Sequence, residues 1–142
     1  TLGELKEKIS ETLGLTRTRE MTLQVVSFGY KHGIPIDADI VMDVRFLPNP
    51  HYQPGLRRKT GLDEPVQRNI LAQPIARRFL NDWHEIITTL LPHYVHEGKS
   101  YLMLAIGCTG GRHRSVFCTR WLAQKLRSSG HPVQEFHRDI SL

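Results

Sequence analysis

The sequence has 142 residues, with 19 Lys and Arg against 14 Asp and Glu and a formal net charge of +5. Its 39% hydrophobic and 23% charged residues exclude the disordered regime, and a chain this long buries about two-thirds of its unfolded surface, enough for one core without staples. Two Cys, no signal-peptide pattern and no apolar run near the roughly 18 residues of a membrane helix argue against a disulfide scaffold, a four-Cys zinc site, secretion and membrane spanning. A soluble cytoplasmic domain is the expectation. Up to residue 107 there are 13 basic and 12 acidic residues, whereas from Cys108 onward six basic residues face only Glu135 and Asp139. Such a local excess suits an anionic partner, polymeric or small, and it equally suits a solvated helix face.

Along the chain, residues 1–14 read as an amphipathic helix. Thr1 and Glu4 fit a capping box, Leu2, Leu5, Ile9 and Leu13 form an apolar stripe, and Gly14 is a stop signal. A start inside a capped helix, without Met, suggests a piece of a longer chain. After a charged connection from Thr16 to Glu20, Leu23, Val25 and Val26 belong to a short β-like run ending at Ser27-Phe28-Gly29, and Ile40 to Phe46 forms a second. Both are expected to be buried strands. Gly33 and Pro35 between them predict a loop or at most one helical turn.

The stretch from Leu47 to Pro65 carries Pro48, Pro50, Pro54 and Pro65 and reads as a long irregular loop; loops of this length inside compact domains are usually functional or disordered. Its Arg57, Arg58 and Lys59 make it a candidate binding element. A helix is expected from Pro65 to Ala72. A longer one carries Ile75, Phe79, Trp83, Ile86, Ile87, Leu90 and Leu91, limited near its end by Pro92. Tyr101 to Ile106 predicts a third strand. It runs into a Gly-rich segment and then a helix from about Ser115 to Ser129, with Cys118, Leu122 and Leu126 on its core face and Gly130 closing it. Pro132 to His137 is a possible last strand. Strand, turn, helix and strand make a βαβ pattern, so the fold class is α/β: a mixed or parallel sheet flanked by helices, with a Gly-rich, anion-binding strand-to-helix turn.

That turn is the sharpest chemical signal: Gly107-Cys108-Thr109-Gly110-Gly111-Arg112-His113-Arg114-Ser115. Glycines let a backbone approach a ligand, amides at a helix start point toward a phosphate, and ligands of α/β sheets bind beyond the carboxyl ends of strands. A tight turn with solvated basic residues would use the same letters. Cys108 and Arg114 also have the Cys-x5-Arg-Ser spacing of cysteine-dependent phosphatases, in which a thiolate attacks phosphorus. Gly107 stands where those enzymes carry a His, however, and no general acid is evident. Asp43 and Arg45, at the end of a predicted strand, and His51 beyond it are candidates to line the same crevice, with Asp43 suited to an amino or hydroxyl group; an Asp–Arg ion pair and a turn His are the plainer alternative. The eight His offer no HxxxH pair joined to a carboxylate, so no metal site is expected, and His93 and His96 read as exposed groups at a helix end. Periodicity assigns Cys118 to the core.

Taken together, FGYKHGIPIDADIVMDVRFLPNPHY, TGLDEPV and AIGCTGGRHRSV resemble the C-terminal domain of the RapZ family, also called YvcJ-like nucleotide-binding proteins or RNase adapters, over about residues 24 to 139. The resemblance divides the chain into an N-terminal helix and linker, 1–20, and a sugar-phosphate-sensing and RNA-binding domain, 21–142. It implies a non-enzymatic cytoplasmic regulator that binds glucosamine-6-phosphate and small regulatory RNA, presents the RNA to a ribonuclease and assembles as a homotetramer. Carried over by position, the sugar-phosphate pocket uses Thr109, Gly110, His113 and Arg114 with His51 and Asp43. The neighbouring Arg45, Cys108, Gly111, Arg112 and Ser115 complete the candidate set. RNA contacts fall on Lys31, His32 and Arg57, with Arg58 and Lys59 beside them. The family's ATP or GTP site belongs to its N-terminal half; no GxxxxGK[ST] occurs here, so no cofactor is expected in this domain. A Cys108-dependent phosphatase and a purely oligomerising domain of a nucleotide-binding regulator are the alternatives. With so modest a charge per subunit, RNA binding would draw on several subunits pooling their basic patches.

Overall fold

The protein is described by a computed structural model covering residues 1–5, 8 and 21–142. Four parallel strands, β1 (Thr22–Gly29), β2 (Ile40–Asp43), β3 (Tyr101–Cys108) and β4 (Val133–His137), form one sheet in the order β2-β3-β1-β4. Among the described residues beyond the helical residues 2–5, three helices occur: α1 (Glu64–Leu71), α2 (Pro74–His96) and α3 (Arg114–Ser128). Short 3-10 turns occupy Tyr30–His32 and Pro50–Tyr52. The sheet is therefore all-parallel, one of the two arrangements that the sequence pattern allows.

The central strands turn an apolar face to the helices, while Val41, Tyr101 and Phe136 stand exposed on the opposite face. Leu23, Val25, Leu102, Leu104 and Ile106 alternate toward the main core, where they meet Leu80, Trp83 and Ile87 of α2 and Cys118, Leu122 and Leu126 of α3. Cys118 is thus a core residue, as its periodicity indicates. Helix α3 lies along β1, β3 and β4 and packs on α2. It ends at Ser128, and Gly130, with φ of 89°, takes the left-handed conformation that turns the chain toward β4.

Three expectations are corrected. The second run is a strand only to Asp43: the Asp43 carboxylate accepts from Arg45 N at 2.9 Å and bends the chain away from the ladder, and Val44 N donates to Gly107 O. It is also an edge strand with Val41 exposed, not a buried one. Pro92 does not end the long helix, which continues to His96. Proline removes one N–H, while Leu91 remains buried and Tyr94 and Val95 still pack against the core, so the last turn holds. At the N-terminus the capping box forms, with Glu4 N donating to Thr1 Oγ1 at 3.1 Å and the Thr1 ammonium donating to Glu4 Oε2 at 2.9 Å, but Leu2 and Leu5 of the expected apolar stripe are exposed. Ile9, Leu13, Gly14 and the connection from Thr16 to Glu20 lie outside the described residues. None of the helices among the described residues is long and apolar enough to cross a membrane.

Register decides where chemistry can gather. Gly29 of β1 stands beside Cys108 of β3, and Asp43 of β2 beside Gly107, so three strands end together on one edge of the sheet. Leu104, on central β3, is fully buried. Leu104→Ala is expected to cost about 3 kcal/mol, read as a lower urea midpoint with an unchanged m-value.

Candidate functional site

Beyond the carboxyl end of β3 the chain makes a five-residue turn, Thr109 to His113, and enters α3 at Arg114. Gly111 has φ of 80° and lies against the end of β1, where a Cβ would stand 2.5 Å from Gly29 N. Only glycine allows both that conformation and that approach. On the other side, Gly61 N donates to Arg112 O at 2.8 Å, and a Cβ on Gly61 would overlap the backbone at His113 and Phe117. The long 47–63 loop is thereby clamped onto the start of α3.

Arg114 is only 5% exposed. Its Nη1 donates to the carbonyls of Arg45 (2.8 Å) and Leu47 (3.0 Å), and Nη2 lies 3.4 Å from Thr109 Oγ1. Nε has no hydrogen-bond partner, and neither does Nε2 of the buried His113. Burial holds the His113 ring below its ordinary value of 6.5; nearby carbonyls of Lys59, Leu56 and Arg57 oppose this, and the Arg112 charge adds to it. His113 is therefore neutral at pH 7. The Cys108 thiol donates to Ser115 Oγ at 3.1 Å and its sulfur accepts from Gly111 N at 3.3 Å.

These groups border a cavity of about 660 Å³, a size that suits a small metabolite. Cys108, Thr109, Gly110, Arg112, His113 and Arg114 form one wall, and Lys31, His51, Arg57 and Arg58 reach it from two other segments. Gly111 and Ser115 lie buried beneath it. No Asp or Glu lines it among the described residues. The residues carried over as RNA contacts thus share one cavity with those carried over as sugar-phosphate ligands, except His32 and Lys59, which are exposed off its wall.

Asp43 and Arg45 also stand off the wall. Arg45 binds the Asp43 carboxylate through Nε (3.0 and 3.1 Å) and Nη2 (2.7 Å), and its guanidinium stacks 3.9 Å over the Tyr30 ring. Hydrogen bonding from Arg45 holds the Asp43 carboxyl below its usual range, and the Arg114 charge contributes. Asp43 is placed to act on the field at Arg114 rather than to face the cavity.

Sequence reasoning missed Asn49, Tyr52 and Leu142 on the wall and Asp139 behind it. Asn49 Oδ1 accepts from His51 N at 3.0 Å and caps the 3-10 turn that presents His51; the Asn-Pro dipeptide was an available signal. Buried Asp139 accepts from Gly29 N at 2.8 Å and from Arg138, whose Nη2 also donates to Gly33 O at 2.6 Å. Burial pushes this carboxyl up, but Arg138 and the Gly29 amide outweigh it and leave the group below its ordinary value. Nothing in the terminal His-Arg-Asp-Ile marks that role. No cluster of three or more His, Cys, Asp or Glu among the described residues is arranged for a metal.

Residues 21–141 match the family described as the RapZ C-terminal domain. The chain belongs to that family. Proteins called nucleotide-binding protein in Moorella thermoacetica and Thermobifida fusca are 48% and 50% identical to it, over 99% and 96% of this chain and 46% and 47% of theirs. A nucleotide-binding protein from the ptsN-ptsO intergenic region of Shewanella violacea is 46% identical over 97% of this chain and 49% of its own length. This RapZ C-terminal domain spans about half the length of these relatives.

The lowered His113 predicts a pH signature. Protonation adds a positive charge to the cavity, so sulfate, whose own charge is constant over this range, should bind more tightly as pH falls below about 6.5. Calorimetry from pH 7.5 to 5 should show the rise in the native chain and lose it in His113→Gln.

Proposed function

We propose that this domain is a non-catalytic sensor that binds an amino-sugar phosphate, glucosamine-6-phosphate or a close analogue, in the cavity above α3. The observation that carries the reading is the buried Arg114 guanidinium with an unpartnered Nε, in a basic cavity lined by no Asp or Glu among the described residues. Nη1 is engaged by two carbonyls, so the guanidinium is fixed beside Thr109 on the cavity wall, where its charge would attract a phosphate oxygen. Turn amides and His113 add further donors. No nucleotide is assigned to this domain; an ATP or GTP site belongs to the other half of the family's longer proteins.

The same reading extends to small regulatory RNA. Lys31, Arg57 and Arg58, flanked in sequence by His32 and Lys59, offer charge to an RNA backbone, and the domain would present that RNA to a ribonuclease in the cytoplasm, linking amino-sugar metabolism to RNA decay. A net charge of +5 is modest for an RNA binder, which favours a homotetramer whose subunits combine their surfaces.

Calorimetry with glucosamine-6-phosphate should give measurable binding that Arg114→Ala weakens about tenfold or more, the scale of one charge-assisted hydrogen bond, with no turnover of an aryl phosphate. Absence of heat at millimolar ligand removes the sensing role, and turnover lost in Cys108→Ser replaces it with phosphatase chemistry. For RNA, an electrophoretic shift should weaken with rising salt and in Lys31→Ala and Arg57→Ala. A shift indifferent to both excludes this surface.

A further inference from the structure

Helix α2 carries two apolar stripes, and the core accounts for one of them. Ala76, Leu80, Trp83, Ile87 and Leu91 are buried in it. Beside them lie Ile75, Phe79 and Ile86, of which Ile75 and Ile86 are half exposed. Just past β2, the half-exposed Phe46 packs edge-on against Phe79, with ring centres 5.0 Å apart. With Met42 and Trp83 these side chains line one groove of about 330 Å³, flanked by Arg78 and Asp82. Apolar side chains scattered singly over a surface are ordinary, whereas six that share a groove mark a surface covered by another protein.

Charge selects the occupant. Among the described residues the groove holds one cation, Arg78, and one acid, Asp82, so neither a polyanion nor a basic segment finds a matching field there. Positions 75, 78, 82 and 86 are spaced by three, four and four residues and share one helix face. Read in either direction that face runs apolar, charged, charged, apolar, with the two signs exchanged. Two copies laid antiparallel about a two-fold axis near residue 80 therefore bring Ile75 to the partner's Ile86 and Arg78 to the partner's Asp82, each contact occurring twice. Within one chain the pair is loose: Arg78 Nε is 3.8 Å from Asp82 Oδ2, and both side chains are mostly exposed. The cation also precedes the acid, the weaker order on a helix. Both groups are available to exchange partners.

We propose that the outer face of α2, with Met42 and Phe46 beside it, is a two-fold interface with a second copy of this chain. The proposal rests on the homo-oligomer part of the reading above, gives it a surface, and is independent of the anion cavity. Ile75 and Ile86 of each copy cover the other's groove at the two ends of the contact, and the four charges pair around the axis between them.

Sedimentation equilibrium of the whole chain over a wide concentration range should show self-association. Ile86→Glu should weaken it about tenfold or more and leave the urea midpoint unchanged, because the side chain is half exposed within one copy. Arg78→Asp and Asp82→Arg should each weaken it as well, since like charges then meet on both sides of the axis. An equimolar mixture of these two variants should associate again, each supplying the sign that the other lacks; this rescue belongs to the antiparallel pairing and to no merely structural role. A native chain that is monomeric at every concentration overturns the proposal and leaves the groove to a partner of different sequence. Association that Ile86→Glu leaves untouched overturns this surface while the oligomer reading stands on another, and failure of the mixed variants to associate overturns the two-fold pairing. If Ile86→Glu yields a monomer that shifts RNA as well as the native chain does, the interface stands and the pooling of basic patches falls.

Discussion

A guanidinium withdrawn from water and satisfied by neutral groups governs this end of the molecule. Arg114 is held by the carbonyls of Arg45 and Leu47, which ties the exit of β2 to the first residue of α3. Burying a charge costs free energy unless strong partners replace its hydration, and carbonyl dipoles replace only part of it. The nearest acid, Asp43, is already engaged by the fork of Arg45. What remains is a fixed positive field with one donor edge uncommitted, at the place where three strands end.

The loops around the cavity are anchored in the core by Val44, Leu47 and Leu56 and joined to one another through backbone. Gly111 lies on the end of β1, Gly61 lies on the start of α3, and Lys31 N donates to Thr109 O at 3.2 Å. Asp139 adds a charged clasp from the end of the chain, binding Gly29 directly while Arg138 reaches Gly33. Arg112 bridges the remaining gap, donating to Ile140 O and to Arg58 O, both at 3.3 Å. The cavity is thus assembled from four separate segments joined by polar contacts of defined geometry. Such contacts keep donors in place without filling the space between them, which an apolar core would do.

This division explains what could be read in advance. Strands β1 and β3 and helices α2 and α3 rest on local apolar periodicity, and the Gly-rich turn rests on a βα junction, so each was legible in a window of a dozen residues. The β propensity of VMDVRF predicts a strand three residues longer than β2; the hydrogen bond that Arg45 N donates to the Asp43 carboxylate overrides that propensity. The candidate site was legible in residue type and not in partition. Lys31 and Arg57 look like separate loop charges in the sequence, and it is the clamp at Gly61 and the bond from Lys31 N to Thr109 O that bring them to the same cavity as Arg114. Asp139 could not be found, since its role depends on β4 pairing with β1 so that the following residue reaches the amide of Gly29.

The same geometry redistributes the charge that the composition only totals. From Cys108 onward the sequence carries six basic residues and two acids. In the fold Arg120 and Arg127 both bind Glu135, at 2.6 and 3.2 Å, and Arg138 binds Asp139 at 2.8 Å. Burial raises the Glu135 carboxyl, yet the hydrogen bonds of Arg120 and His137 outweigh it and keep the group ionised well into the acid range. Lys125 is exposed, with its ammonium 5.5 Å from the centre of the Trp121 ring. Arg112 and Arg114 are the two whose charge meets only carbonyls and a hydroxyl, and both face the cavity. Ion pairing therefore leaves half of the excess on the outer surface and the other half, on Arg112 and Arg114, at the cavity. A diffuse basic face would attract any polyanion; charge concentrated beside immobile donors discriminates by the shape and oxygen count of what enters.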